Sequence, residues 1–243
     1  MFNKNENGDK MDSYRKTGII VGILFIIATV ASILGKISLG STLDAPDYLI
    51  SVSAYGNQVI MAVIFFLIAA ISAFAIAFML FPILKRHIES LAMGYVVLRI
   101  FENVFYVVGT LGLLLMLTVS QSYVAGAVDA SYYQVLGILL LALKDWAGLI
   151  GTLFFAGLGS MTLNYVLYQS KLVPRWLSLW GFIGAALIVL LGLFGILGLG
   201  MGLNSPFALL AIPIAVQEMV FAVWLIVKGF NPSAIISDSA KQT

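Results

Sequence analysis

A chain of 243 residues that is 61% hydrophobic and only 10% charged is not an ordinary soluble protein, because soluble domains carry about 25% charged and about 45–50% apolar residues. A mean hydropathy of +1.06 also excludes a disordered chain, which needs low hydrophobicity and high net charge. The formal net charge of +2 comes with no basic stripe interleaved with aromatics, so nucleic acid is excluded as a partner and the lipid bilayer is the expected one.

A helix needs about 20 mostly apolar residues to cross the hydrocarbon. Six runs meet that length: Thr17–Gly35, Val59–Leu84, Leu91–Val119, a run within Tyr132–Tyr168, Trp176–Leu203 and Phe207–Gly229. The first follows Lys4, Lys10, Arg15 and Lys16 and so resembles a signal peptide. It is long for one, however, and no small-x-small cleavage site follows, so a retained helix is expected. The polar stretches 1–13 and 231–243 are expected to be disordered cytoplasmic tails around a transmembrane domain spanning 14–230.

Between the first two runs, Asp44-Ala-Pro-Asp47 supplies a cap and a proline, which predicts a short surface helix over Pro46–Tyr55. Asp129 is expected to cap the fourth run in the same way. That run is too long for a simple span: Tyr132 to Tyr168 would extend about 55 Å, against a hydrocarbon core of about 30 Å. It must tilt, kink or project, with the break expected near Lys144–Gly148. In the fifth run, Gly181, Gly184, Gly192, Gly195 and Gly198 predict close helix contacts, as do Gly18 and Gly22 in the first. Gly198-Leu-Gly-Met-Gly202 lacks the preceding strand that a nucleotide loop requires. Pro213 in the sixth run is expected to free a backbone carbonyl one turn earlier.

Six spans put both termini on one side, together with Lys85, Arg86, Lys171, Arg175, Lys228 and Lys241, whereas Lys36 falls on the other. The positive-inside rule makes the basic side cytoplasmic, and a seventh span would spoil the separation. The expected architecture is therefore an all-α, six-helix integral membrane bundle of the cell membrane. Trp176, Trp180 and Tyr168 fall at the inner interface and Tyr123, Tyr132 and Tyr133 at the outer one, as aromatic belts do.

There is no cysteine, and His87 is the sole histidine. Thiolate metal sites, iron–sulfur clusters and paired-histidine sites are thereby excluded. No cofactor and no metal are expected.

Five ionisable residues lie inside the runs: Arg99, Glu102, Lys144, Asp145 and Glu218. Each costs about 2.5–3.5 kcal/mol at a helix centre on insertion scales, so each is expected to face the bundle interior and find a partner. Arg99 and Glu102 share a helix face, which Tyr95, Asn103, Tyr106 and Thr110 continue as a polar stripe. Glu218 lies beside Gln217 near the middle of the sixth run. Two bases and three acids leave one acid over, and Glu218, whose own helix offers no cation, is the expected holder of a proton. The candidate polar binding or proton site is therefore Arg99, Glu102, Asn103, Tyr106, Lys144, Asp145, Gln217 and Glu218. No catalytic residue is assigned.

Several blocks in the chain resemble a prokaryotic membrane-protein family, domain of unknown function 4386. They are Leu43-Asp-Ala-Pro-Asp-Tyr-Leu49, Gly94-Tyr95, Arg99-Ile-Phe-Glu102, Lys144-Asp-Trp-Ala147, Leu172-Val-Pro-Arg-Trp-Leu-Ser-Leu-Trp-Gly181 and Val227-Lys-Gly-Phe-Asn-Pro-Ser-Ala-Ile235. The resemblance implies a multi-pass membrane protein and carries over no activity.

The expected function is a small-molecule or lipid binding or transport protein with a polar site between the third, fourth and sixth spans. Its guest would be a small anionic or lipid-like ligand held by Arg99 or Lys144, and so small a transporter is expected to form a homodimer. The alternative is a membrane sensor or scaffold whose buried ion pairs are structural. An acid–base membrane enzyme is less favoured, because no Ser-His or Cys-His pair and no Gly-x-Ser-x-Gly exists.

Overall fold

The computed structural model describes residues 3–126, 130–200 and 205–239, with side chains for 12–126, 130–200 and 205–235. Among the described residues the regular elements are all helical. They are α1 (Asn3–Leu39), α2 (Tyr48–Ala54), α3 (Gly56–Leu84), α4 (Glu89–Val124), α5 (Ala130–Ala147), a π-helical stretch (Gly148–Phe155), α6 (Ala156–Ser170), α7 (Arg175–Ile196), a 3-10 turn (Pro206–Ala211), α8 (Ile212–Val227) and α9 (Pro232–Ser239). Helices are the open-ended way to satisfy every backbone group inside an apolar segment when no water is available.

Six helical segments are long and apolar enough to cross a membrane: Asp12–Leu39, Gly56–Leu84, Glu89–Val124, Ala130–Ser170, Arg175–Ile196 and Pro206–Val227. These are the six expected spans with altered ends. The fifth stops at Ile196 instead of Leu203, because Gly198 and Gly200 take φ of 75° and 67°, a left-handed backbone that ends a helix.

Other expectations are corrected. In the first polar stretch the α1 backbone is already helical from Asn3. The stretch 231–243 contains α9, whose start is capped by the Ser233 N–H donating to Asn231 Oδ1 at 3.1 Å. The surface helix begins at Tyr48, after Asp47, without a side-chain cap, so Asp44 does not serve as one. Asp129 lies outside the described residues. Pro213 sits in the first turn of α8, where its missing N–H would be unsatisfied in any case, so it starts the helix and frees no interior carbonyl.

The fourth span does not break at Lys144–Gly148; it widens into the π-helical stretch from Gly148 to Phe155. With that stretch included it runs 41 residues, about 60 Å at α-helical rise. It therefore projects past the ends of the shorter spans. The long α3 and α4 project with it, and α2 packs on α4 there. Leu39, Leu49, Val52, Val59, Val63, Met116, Leu117 and Tyr133 form a separate core at this far end.

The spans close a ring in sequence order. α1 packs on α3, α3 on α4, α4 on α5 and α6, α6 on α7, α7 on α8, and α8 back on α1. The closing contact depends on Gly22: a Cβ there would stand 2.6 Å from the Ala222 carbonyl oxygen. The largest core lies at the basic end, where Phe25, Ile76, Leu80, Tyr95, Leu163, Leu177 and Phe221 of the six spans meet.

Three sets of contacts tie the elements together at that end. Arg15 donates to the Leu225 and Ile226 carbonyls at 2.9 and 2.6 Å, satisfying the last turn of α8. Arg86 lies 5.7 Å over the Tyr14 ring. The Asn231 N–H donates to the Leu172 carbonyl at 2.8 Å, tying the α6–α7 turn to the end of α8.

Candidate functional site

Arg99 lies ten residues into α4 from Glu89, about 15 Å along the axis. Arg99 and Glu102 are each only 5% exposed. They are three residues apart and so share a face, and Arg99 Nη1 donates to Glu102 Oε2 at 2.8 Å. The guanidinium stands 5.5 Å over the Tyr95 ring, a cation–π distance. Its stem passes Gly159 of α6, where a Cβ would lie 3.9 Å from Arg99 Nε. The small residue on α6 makes room for the large one on α4. Arg99 Nε and the Tyr95 hydroxyl are both fully enclosed and make no hydrogen bond of good geometry.

Glu218 comes from α8, on the opposite side of the ring from α4. It is half-buried and feels the charges of both Arg99 and Glu102. Arg99, Glu102 and Glu218 thus form one electrostatic set, assembled from elements more than one hundred residues apart in the chain. The set holds one base and two acids.

The other expected site residues are placed differently. The Asn103 amide folds back onto its own helix, donating to the Arg99 carbonyl at 2.8 Å. Tyr106 reaches the α1–α3 side of α4: its hydroxyl is 3.3 Å from Ser32 Oγ and its ring meets Phe66 edge-on. Gln217 turns away from Glu218, because neighbouring positions on a helix point about 100° apart. Its amide donates to Asn164 Oδ1 at 3.4 Å and to the Leu177 carbonyl at 3.2 Å.

Lys144 and Asp145 do not join the central set. They pair with each other at 3.0 Å, with side chains 28% and 53% exposed. Their level on α5 matches Gly109 and Gly112 of α4, which touch Ala147 and Leu143. That level is about 30 Å from the basic end, where a lysine can snorkel into the interface.

A second buried polar cluster was not singled out from the sequence. Asn164 is 3% exposed; it donates to the Ser160 carbonyl at 2.8 Å and accepts from Gln217. Gly181 faces it so closely that a Cβ would run into the Asn164 amide. Ser178 Oγ is enclosed nearby without a partner. The one available signal was an asparagine inside an apolar run, since polar groups in spans are costly.

Among the described residues no group of three or more His, Cys, Asp or Glu side chains could hold a metal ion.

A family model described as Domain of unknown function (DUF4386) matches residues 20–229. The chain belongs to that family. No curated protein and no solved structure matches it. Within this DUF4386 chain the matched segment contains both the central charged set and the Asn164–Gln217 cluster.

Proposed function

We propose that this DUF4386 protein is a binding or transport protein of the cell membrane, with both termini cytoplasmic, whose mid-depth site handles a proton together with a small ligand. One observation carries the reading: Glu218 on α8 is electrostatically coupled across the ring to the Arg99–Glu102 pair on α4, with one acid in excess of the base. An uncompensated charge at mid-depth is expensive, and a single proton shared by the set neutralises it. Glu218 is half-buried while Arg99 and Glu102 are buried, so in this reading Glu218 is the member that exchanges with a guest. The pairing of Arg99 with Glu102 disfavours an anion bound to Arg99, because such a guest would face two carboxylates. A proton or a small organic cation fits the charge count. The orientation follows from Lys and Arg gathering at one end.

The test is infrared titration of the purified protein near neutral pH. The wild type is expected to show a protonated-carboxyl stretch that disappears in Glu218→Gln. If the variant and the wild type give the same carboxyl region, the proton reading is wrong.

A structural role, as in a scaffold or sensor subunit, has one observation in its favour: the Arg99–Glu102 pair closes within a single helix and needs no guest. Under that reading Glu218→Gln leaves the spectrum unchanged and no small cation shifts the melting temperature.

A further inference from the structure

At the basic end, the α6–α7 turn and the end of α8 enclose an open cleft of about 590 Å³. Its lining includes Lys171, Arg175, Lys228, Trp224 and Asn231, and no carboxylate among the described residues. All three cations are exposed, and none makes an ion pair with an acid among the described residues. Like charges lining one concavity raise its local positive potential and so attract an anion into it.

The cleft is built rather than incidental. Lys171 takes φ 56°, a left-handed conformation that is uncommon for a residue with a side chain. Its carbonyl accepts from Asn231 Nδ2 at 3.2 Å, and the next carbonyl accepts from the Asn231 N–H at 2.8 Å. One asparagine therefore clamps two segments 60 residues apart and holds the Lys171 backbone at the same cleft that Lys228 lines. Arg175 is steadied 5.0 Å over the Tyr168 ring. Leu172, Val173 and Phe230 bury their side chains beneath the cleft, so it sits on the core and not on a loose loop. Trp176, 54% exposed on the first turn of α7, is placed as an interfacial anchor.

We propose that this cleft binds the phosphate of an anionic phospholipid headgroup from the adjacent leaflet, held between Lys171, Arg175 and Lys228. A basic pocket between transmembrane helices at the level of the headgroups is suited to this class of ligand. The lipid, not free phosphate, is the assigned occupant, because the cleft opens at the level set by Trp176 and next to the apolar flank of Trp224. The site is separate from the Arg99–Glu102–Glu218 set and does not depend on it.

The test uses the full chain in neutral-detergent micelles, titrated with phosphatidylglycerol, phosphatidylcholine or inorganic phosphate. Bound lipid is read by native mass spectrometry and by thermal shift. Phosphatidylglycerol is expected to bind in preference to phosphatidylcholine, and Lys171→Gln with Lys228→Gln is expected to weaken it by about thirtyfold. A control with equal charge loss at the same end, Lys16→Gln with Lys85→Gln, should change affinity by less than about threefold. Should the double variant not fold, Lys228→Gln alone, at an exposed helix end, is expected to lose about fivefold. Equal losses in variant and control, or no headgroup preference, overturn the site. A shift produced as well by inorganic phosphate overturns its assignment to lipid.

Discussion

The buried Arg99–Glu102 pair gives the sharpest energetic test. With N···O at 2.8 Å the charge centres stand about 4 Å apart, which corresponds to about 4 kcal/mol at an effective dielectric constant of 20. Arg99→Met removes the base and leaves Glu102 and Glu218, which feel each other's charge, without a cation. Glu102→Met leaves Arg99 with only Glu218 across the ring. Breaking one side of a buried pair typically costs about 3–5 kcal/mol. Arg99→Met should lie at the upper end of that range, because it strands two acids. Glu102→Met should lie near the lower end, because Glu218 still answers Arg99. The double variant removes both charges and should cost about 2–4 kcal/mol less than the sum of the singles. Stability is read by unfolding in mixed micelles of neutral detergent and dodecyl sulfate, followed by far-UV circular dichroism. Additivity within about 0.5 kcal/mol would mean that the two side chains act independently and would refute the geometry argued for the site.

Three further outcomes are expected. Gly22→Leu should cost about 1–3 kcal/mol through overpacking, since its Cβ meets the Ala222 carbonyl at 2.6 Å, whereas Gly18→Ala, whose nearest contact is 3.5 Å, should be near neutral; the same unfolding assay separates them. Arg15→Gln should lose about 1.5–3 kcal/mol, because it removes charged hydrogen bonds to the last carbonyls of α8, and amide exchange should rise at the α8 end before it rises elsewhere. Burial pushes the Tyr48 phenol above its ordinary range, so α2 keeps its full contribution below about pH 10 and loses it as pH rises further; Tyr48→Phe should abolish that alkaline loss of stability, and an unchanged pH profile would count against it.

The spans were legible because a 20-residue apolar run has few alternatives in so greasy a chain, and base-rich ends recur at every second loop. Their ends were less legible. Ile196 ends α7 early because Gly198 and Gly200 turn left-handed, a choice that glycine permits but does not announce. The π-helical stretch fell close to the expected break of the fourth span, yet widening and breaking have the same apolar signature. Of the site, Arg99 and Glu102 could be paired from their spacing alone. The outward turn of Lys144 and Asp145, and the approach of Asn164 to Gly181 and Gln217, depend on which face of each helix meets which neighbour.

Composition and periodicity by themselves determined a six-span helical membrane protein with its basic residues at one end, because the bilayer tests each segment separately for apolar length and charge. The tertiary structure decided which of the five intramembrane charges belong together. Ring order sets α8 across from α4, and a carboxylate on one helix has no meaning for a guanidinium on another until the closed ring brings it within electrostatic reach. The clamp by which Asn231 shapes the basic cleft has the same origin: it is a contact across 60 residues that no local pattern encodes.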